Sequence, residues 1–98
     1  MNAQAAVDIL RRNESALRAQ GVYHAALFGS VARGDNHSGS DIDILVEFDP
    51  TARVTVFDFV AVKKYIADLF EDPVDVIDRD ALKPHLREPS ARDALYAF

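Results

Sequence analysis

The sequence predicts a small α/β (α+β) fold in which helices flank one mixed β-sheet. Segments with helical periodicity alternate with short apolar runs typical of strands, in the order α-β-β-α-β-α. The 98 residues, 49% of them apolar, are enough for one modest core, and no linker or low-complexity tract interrupts them. We therefore expect one domain over residues 1–98.

Three helices are expected from apolar spacing and from residues that start or stop a helix. Residues 3–20 place apolar side chains on one side of a helix that Gly21 ends. Residues 54–70 carry an apolar stripe that should face the core. Its members are Phe59, Val62, Ile66 and Leu69. A last helix is expected over 90–97, with Ser90 as its N-cap.

Three short segments are expected to be strands. Residues 22–28 are almost entirely apolar, which suits a buried strand, and residues 41–47 alternate with a period of two. Residues 74–77 form a third apolar run after the helix breaker Asp72-Pro73. A sheet built from these segments is the expected core of the domain.

Composition excludes several classes of protein. Without cysteine there can be no disulfide and no thiolate metal site. The 11 basic residues are scattered in ones and twos in a chain of net charge −5, so long nucleic acid is not expected as the main ligand. No apolar run reaches the roughly 18 residues that cross a bilayer, and the N-terminus lacks a signal-peptide pattern. We expect a cytoplasmic protein with no membrane partner.

The most informative segment is residues 27–48, LFGSVARGDNHSGSDIDILVEF. A predicted strand runs into Gly29 and Ser30. Glycine has no Cβ, so a phosphate can approach the backbone closely, and the serine adds a hydroxyl donor. A helix starting there would aim free N–H groups at an anion. Because the segment lacks the lysine of a P-loop, another group must neutralise the phosphate charge.

Metal ions held by aspartates could neutralise the phosphate charge. Asp41 and Asp43 lie two residues apart on a predicted strand and therefore share a face, whereas the alternate positions should enter the core. Leu45 falls on the aspartates' face; the core positions are Ile42, Ile44 and Val46. Asp75 interrupts another apolar strand, and if the two strands are neighbours it can complete a carboxylate site for two Mg²⁺ ions about 3.5–4 Å apart.

Each feature alone has an ordinary structural explanation. An isolated Asp-x-Asp is usually a solvated strand edge, an isolated Gly-Ser is usually a turn, and an isolated strand aspartate such as Asp75 is usually structural. The three features together, at this spacing, favour a metal and phosphate site.

Gly-Ser, ten residues, Asp-x-Asp and a later strand aspartate together resemble the DNA polymerase β-type nucleotidyltransferase superfamily. The chain length and the string GSVARG…SDIDILV are similar to the minimal nucleotidyltransferase (MNT) antitoxins, which are encoded beside HEPN-domain toxins. The resemblance implies the polymerase β-like nucleotidyltransferase fold, two Mg²⁺ ions as cofactors and ATP as substrate. It further implies AMP transfer to a tyrosine of a HEPN toxin, which neutralises that toxin.

The resemblance also implies a role for each motif residue. Gly29 and Ser30 would hold the triphosphate. Asp41 and Asp43 would bind both metals, and Asp75 would bind the catalytic metal and activate the nucleophile. All five positions of the motif are present.

Some alternatives stay open at this point. Arg33 could contact phosphate or could close its loop by pairing with Asp35. The chain could instead be a non-catalytic antitoxin that masks a toxin by binding, or an adenylyltransferase acting on a small molecule. The intact acidic triad favours chemistry over binding alone, and the short chain lacks the second lobe that usually encloses a small acceptor. The predicted helix over 54–70 is also apolar outside its core stripe, which would suit a partner surface. These residues are Val54, Val56, Phe57 and Val60.

Overall fold

A mixed sheet organises the protein, as the sequence predicts, and within the described residues it has four strands where three were expected. The computed structural model describes residues 2–34, 41–81 and 94–98. In chain order the strands are β1 (Val22–Phe28), β2 (Ile42–Phe48), β3 (Val74–Asp78) and β4 (Leu95–Tyr96). Their order in the sheet is β3-β2-β1-β4, with β2 parallel to β3 and the other pairs antiparallel.

A crossover helix, α4 (Val56–Ala67), joins the two parallel strands, because parallel neighbours cannot be linked by a tight turn. It begins at a capping box in which the Asp58 N–H donates to the Thr55 hydroxyl and the Thr55 N–H donates to the Asp58 carboxylate. The predicted stripe faces the core, with Val62 and Ile66 fully buried and Phe59 and Leu69 partly buried. None of the helices within the described ranges is long and apolar enough to cross a membrane.

The N-terminal helix is interrupted, which corrects the prediction of one helix over 3–20. The structure has α1 (Ala3–Arg12) and α2 (Glu14–Ala19), separated at Asn13. The Asn13 side chain donates to the Ile9 carbonyl and accepts from the Tyr65 hydroxyl, both at 2.8 Å. A short amide that bonds the backbone competes with helix continuation, and here it also ties the helix pair to α4.

The prediction of a helix over 90–97 is wrong for residues 94–97, the part that the structure describes. Leu95–Tyr96 form strand β4, which pairs with Ala26 and Leu27 of β1. The open edge of β1 offers unpaired N–H and C=O groups, and pairing with them outweighs a weak helical pattern of a few residues. The predicted cap, Ser90, lies outside the described residues.

The two faces of the sheet differ in what covers them. The side chains of Ile42, Ile44 and Val46 are fully buried in the core that α1 and α4 cover, as the alternation predicts. Leu45 lies on the other face and is also buried, although it is not part of that core. The alternation therefore fixes which face each residue takes but does not by itself fix its exposure.

Candidate active site

Two of the predicted site residues meet at one end of the sheet, where β1 ends and β2 and β3 begin. Asp43 lies opposite Phe28 of β1 and opposite Asp75 of β3. Register partners on adjacent strands share a face, so both carboxylates lie on the sheet face away from the helices. Asp41 precedes β2 and is exposed. The register confirms that the two aspartate-bearing strands are neighbours.

Gly29 lies directly against the Asp43 carboxylate. It starts the short helix α3 (Gly29–Arg33) with φ +75°, a conformation that side-chain-bearing residues rarely adopt. A Cβ at this position would collide with a carboxylate oxygen of Asp43 and would lie 3.1 Å from its carboxyl carbon. Glycine therefore lets the β1–α3 turn and the Asp43 carboxylate approach closely. Ser30 follows in the first turn of α3 and is partly exposed.

The aspartates influence one another electrostatically. Partial burial raises the pKa of Asp43 above its ordinary value, and the negative charges of Asp75 and Asp41 raise it further. The positive charge of Arg33 acts in the opposite direction. Asp43 is thus the centre of a group of like charges that a bound cation would relieve.

Residues 7–96 match the family model described as a nucleotidyltransferase domain. The chain belongs to this family. Its mixed sheet with flanking helices is the nucleotidyltransferase fold, and the solved structure of a chain provisionally named a minimal nucleotidyltransferase matches it with a TM-score of 0.80. That likeness covers 97% of this chain and 95% of the other, at 30% sequence identity.

Curated relatives of this nucleotidyltransferase carry the name protein adenylyltransferase. One from Methanocaldococcus jannaschii, provisionally so named, is 36% identical over 91 residues, or 91% of each protein. The protein adenylyltransferase MntA of Thermococcus cleftensis is 30% identical over 89 residues, covering 90% of this chain and 88% of MntA. A Shewanella oneidensis complex of a tri-AMPylated HEPN toxin with MNT antitoxin matches in fold, with a TM-score of 0.61 at 18% identity over 91% of this chain and 70% of the matched chain.

The donor set of this nucleotidyltransferase fits Mg²⁺. Carboxylate oxygens are the ligands this ion prefers, and burial together with the negative charges of Asp75 and Asp41 raises the pKa of Asp43, as expected where a cation would bind favourably. Within the described residues, no three carboxylate or imidazole side chains are already gathered into a metal-binding group. We expect a bound cation to draw Asp41 and Asp75 toward Asp43, because it offsets the repulsion among the three carboxylates.

Arg33 lies in the last turn of α3, and its charge acts on Asp43. This places it beside the candidate phosphate site. Asp35, the partner in the alternative explanation, lies outside the described residues. The choice between a phosphate contact and a loop contact therefore stays a prediction.

Sequence reasoning missed a polar pair farther along the same sheet face. Glu47 and Arg79 lie 3.9 Å apart, at the other end of β2 and just past the end of β3. The signal was available, because Glu47 is four residues from Asp43 and Arg79 is four residues from Asp75, and a period of two puts each on its aspartate's face. This pair lies on the face that bears the aspartates and is separated from them by Leu45 and Ile77.

A cavity of about 680 Å³ lies at the opposite end of β1 and β2 from the aspartates. Its lining includes Gly21, Asp49 and Arg53. It contains none of the motif residues, so we place the chemistry at the aspartates and not in this cavity.

We expect Asp43→Asn to raise the melting temperature of the ligand-free protein by a few degrees at neutral pH, because it removes a partly buried charge that other carboxylates repel. A raised folded-state pKa means that the folded protein binds this proton more readily than the unfolded chain does. The destabilisation that this charge causes in the folded wild-type protein is therefore fully present above the raised pKa. It disappears as the pH falls below the ordinary value of 3.8.

Thermal melts of both proteins, recorded from about pH 7 down to about pH 3, measure this difference. Mg²⁺–ATP should then raise the melting temperature of wild type but not of Asp43→Asn. A difference in melting temperature between the two proteins that does not change with pH would contradict the electrostatic explanation. A wild-type melt unmoved by millimolar Mg²⁺–ATP would contradict the site.

Proposed function

We propose that this nucleotidyltransferase transfers AMP from ATP to a tyrosine of a HEPN-type toxin and thereby neutralises the toxin, with Mg²⁺ as cofactor. The observation that carries the proposal is the in-register pair Asp43 and Asp75 on one sheet face, with Asp43 directly against the Gly29 turn. The relatives named as protein adenylyltransferases support a protein acceptor. The Shewanella oneidensis complex supports a HEPN-type partner.

The proposed reaction is a displacement at the α-phosphorus of ATP. The tyrosine oxygen attacks that phosphorus, the bond from the phosphorus to the oxygen bridging to the β-phosphate breaks, and diphosphate leaves. Gly29 and Ser30 hold the triphosphate, and Arg33 offsets its charge. Mg²⁺ held by Asp41, Asp43 and Asp75 would neutralise charge on the triphosphate and lower the pKa of the attacking hydroxyl. Asp75, which is exposed at the strand edge, is proposed to accept the hydroxyl proton.

The labelling pattern of the partner tests this reaction. Purified chain, HEPN-type partner, Mg²⁺ and ATP labelled in the α-phosphate should yield a labelled partner, because the α-phosphorus is transferred. ATP labelled in the γ-phosphate should yield none. Replacing the accepting tyrosine, once it has been located by mass spectrometry, should abolish the label.

Each other result points to a different function. Label from the γ-phosphate would mean a kinase. Binding and inhibition of the partner with no label from either nucleotide would mean an antitoxin that acts by masking. Label transferred only to small molecules would mean a small-molecule adenylyltransferase.

A further inference from the structure

An apolar patch on α4 lies in contact with solvent. Its three side chains, here called the α4 patch, are Val56, Phe57 and Val60, which are 76%, 85% and 58% exposed. A phenylalanine contributes roughly 150–250 Å² of contact area when it is buried. Contiguous exposed apolar side chains on a small domain mark an interaction surface more often than isolated ones do.

The α4 patch is separate from the catalytic face. Val62 and Ile66, on the inner side of α4, belong to the core that covers Ile42 and Ile44 of β2. Asp43 projects from the other side of that strand. A molecule bound at the patch would therefore leave the aspartates accessible.

Basic residues border the patch. Arg53 precedes α4, and Lys63 and Lys64 follow the patch along the helix. Lys63 lies over the Phe59 ring at 5.5 Å, and within the described residues neither lysine forms an ion pair with a carboxylate. Such a rim in a chain of net charge −5 is complementary to a partner that presents carboxylates.

We propose that the α4 patch docks into an apolar groove with an acidic rim on a partner protein, and that this partner is the HEPN-type protein of the proposed function, on which the proposal rests. The patch is convex, because its side chains project from one helix at positions i, i+1 and i+4. A convex apolar helix face is recognised by a groove, with the projecting aromatic ring as its anchor.

A second copy of this chain suits the patch less well. Packing α4 on α4 brings two convex faces and two sets of lysines together. Of the nearby carboxylates, Asp58 is already committed to the capping box of α4. The cavity of about 680 Å³ could offer a groove, but its lining carries two arginines as well as two aspartates and so lacks the acidic rim that would complement the lysines of the patch.

Binding measurements on surface variants test the proposal. Phe57→Ser removes the anchor from an exposed position and should raise the Kd for the HEPN-type partner at least about tenfold, equivalent to about 1.4 kcal/mol. Lys64→Glu should also weaken binding, and its effect should shrink at high salt. Tyr96→Ser, at an exposed aromatic residue of β4 on the sheet edge opposite β3, is the matched control and should bind like wild type. All three variants should keep the wild-type melting shift with Mg²⁺–ATP.

The outcomes separate this proposal from the proposed function. Wild-type partner affinity in Phe57→Ser would overturn the docking surface even if the partner is still labelled. Loss of a self-associated form in Phe57→Ser, with unchanged partner affinity, would assign the patch to a second copy and overturn the proposal in the same way. Weaker binding in Phe57→Ser and Lys64→Glu, with no label transferred by wild type, would support the docking surface and overturn only the transfer reaction.

Discussion

Asp75→Asn is expected to slow AMP transfer by at least about a hundredfold, which corresponds to about 2.7 kcal/mol of transition-state stabilisation. Mg²⁺–ATP affinity should change by no more than about threefold, or roughly 0.7 kcal/mol. The reason is a division of roles. Asp41 and Asp43 are proposed to hold the metal that accompanies the triphosphate, whereas Asp75 acts mainly on the attacking hydroxyl. An interaction made chiefly in the transition state appears in kcat.

The matched control is Asp78→Asn. Asp78 belongs to the same strand but takes the opposite side, opposite Val46 of β2. Whether Asp75 is catalytic or structural is decided by measuring the single-turnover transfer rate, the ATP affinity and the melting temperature of both variants. If Asp75 is only structural, its variant will lose stability and activity together or lose neither. A folded Asp75→Asn enzyme with a near-normal rate would remove Asp75 from the mechanism.

Gly29→Ala is expected to slow AMP transfer by a factor similar to that of Asp75→Asn, because it displaces a neighbouring carboxylate. The added methyl group collides with the Asp43 carboxylate, so either the turn or the carboxylate must move. A displacement of about 1 Å at a catalytic group costs on the order of a hundredfold in rate. We therefore expect transfer to fall at least about a hundredfold, with weakened Mg²⁺–ATP binding because Asp43 itself is displaced.

Gly34→Ala is the control that separates the effect of this contact from the effect of backbone strain. Gly34 has nearly the same φ as Gly29, +78° against +75°, but a Cβ on it would meet no atom of the described residues within 4 Å. Both variants bear the strain of a left-handed alanine, roughly 1 kcal/mol, and only Gly29→Ala disturbs the aspartate. Equal loss of activity in the two variants would mean that strain, and not the position of Asp43, is responsible.

The sequence predicted the strands that carry the site more closely than the ends of the helices. Strand β1 matches its predicted bounds, and β2 is displaced by a single residue. Long apolar and alternating runs allow few other structures. Strand β4 could not be predicted, because it depends on the open edge of β1, which is distant in sequence. The interruption at Asn13 combines a local bond to the Ile9 carbonyl with a bond from the Tyr65 hydroxyl of α4, and the second of these cannot be inferred from local spacing.

The family, the candidate residues and the chemistry they suit were predictable from the amino-acid sequence, because Gly29-Ser30 and Asp41-x-Asp43 are local patterns whose spacing is visible in one chain. Which of these residues meet depends on the fold. The parallel register of β2 and β3 places Asp75 opposite Asp43, and the left-handed turn places Gly29 against the same carboxylate. The fold also leaves Phe57 exposed to solvent. Both sides of α4 are apolar, and only the packing against the sheet shows which side is buried.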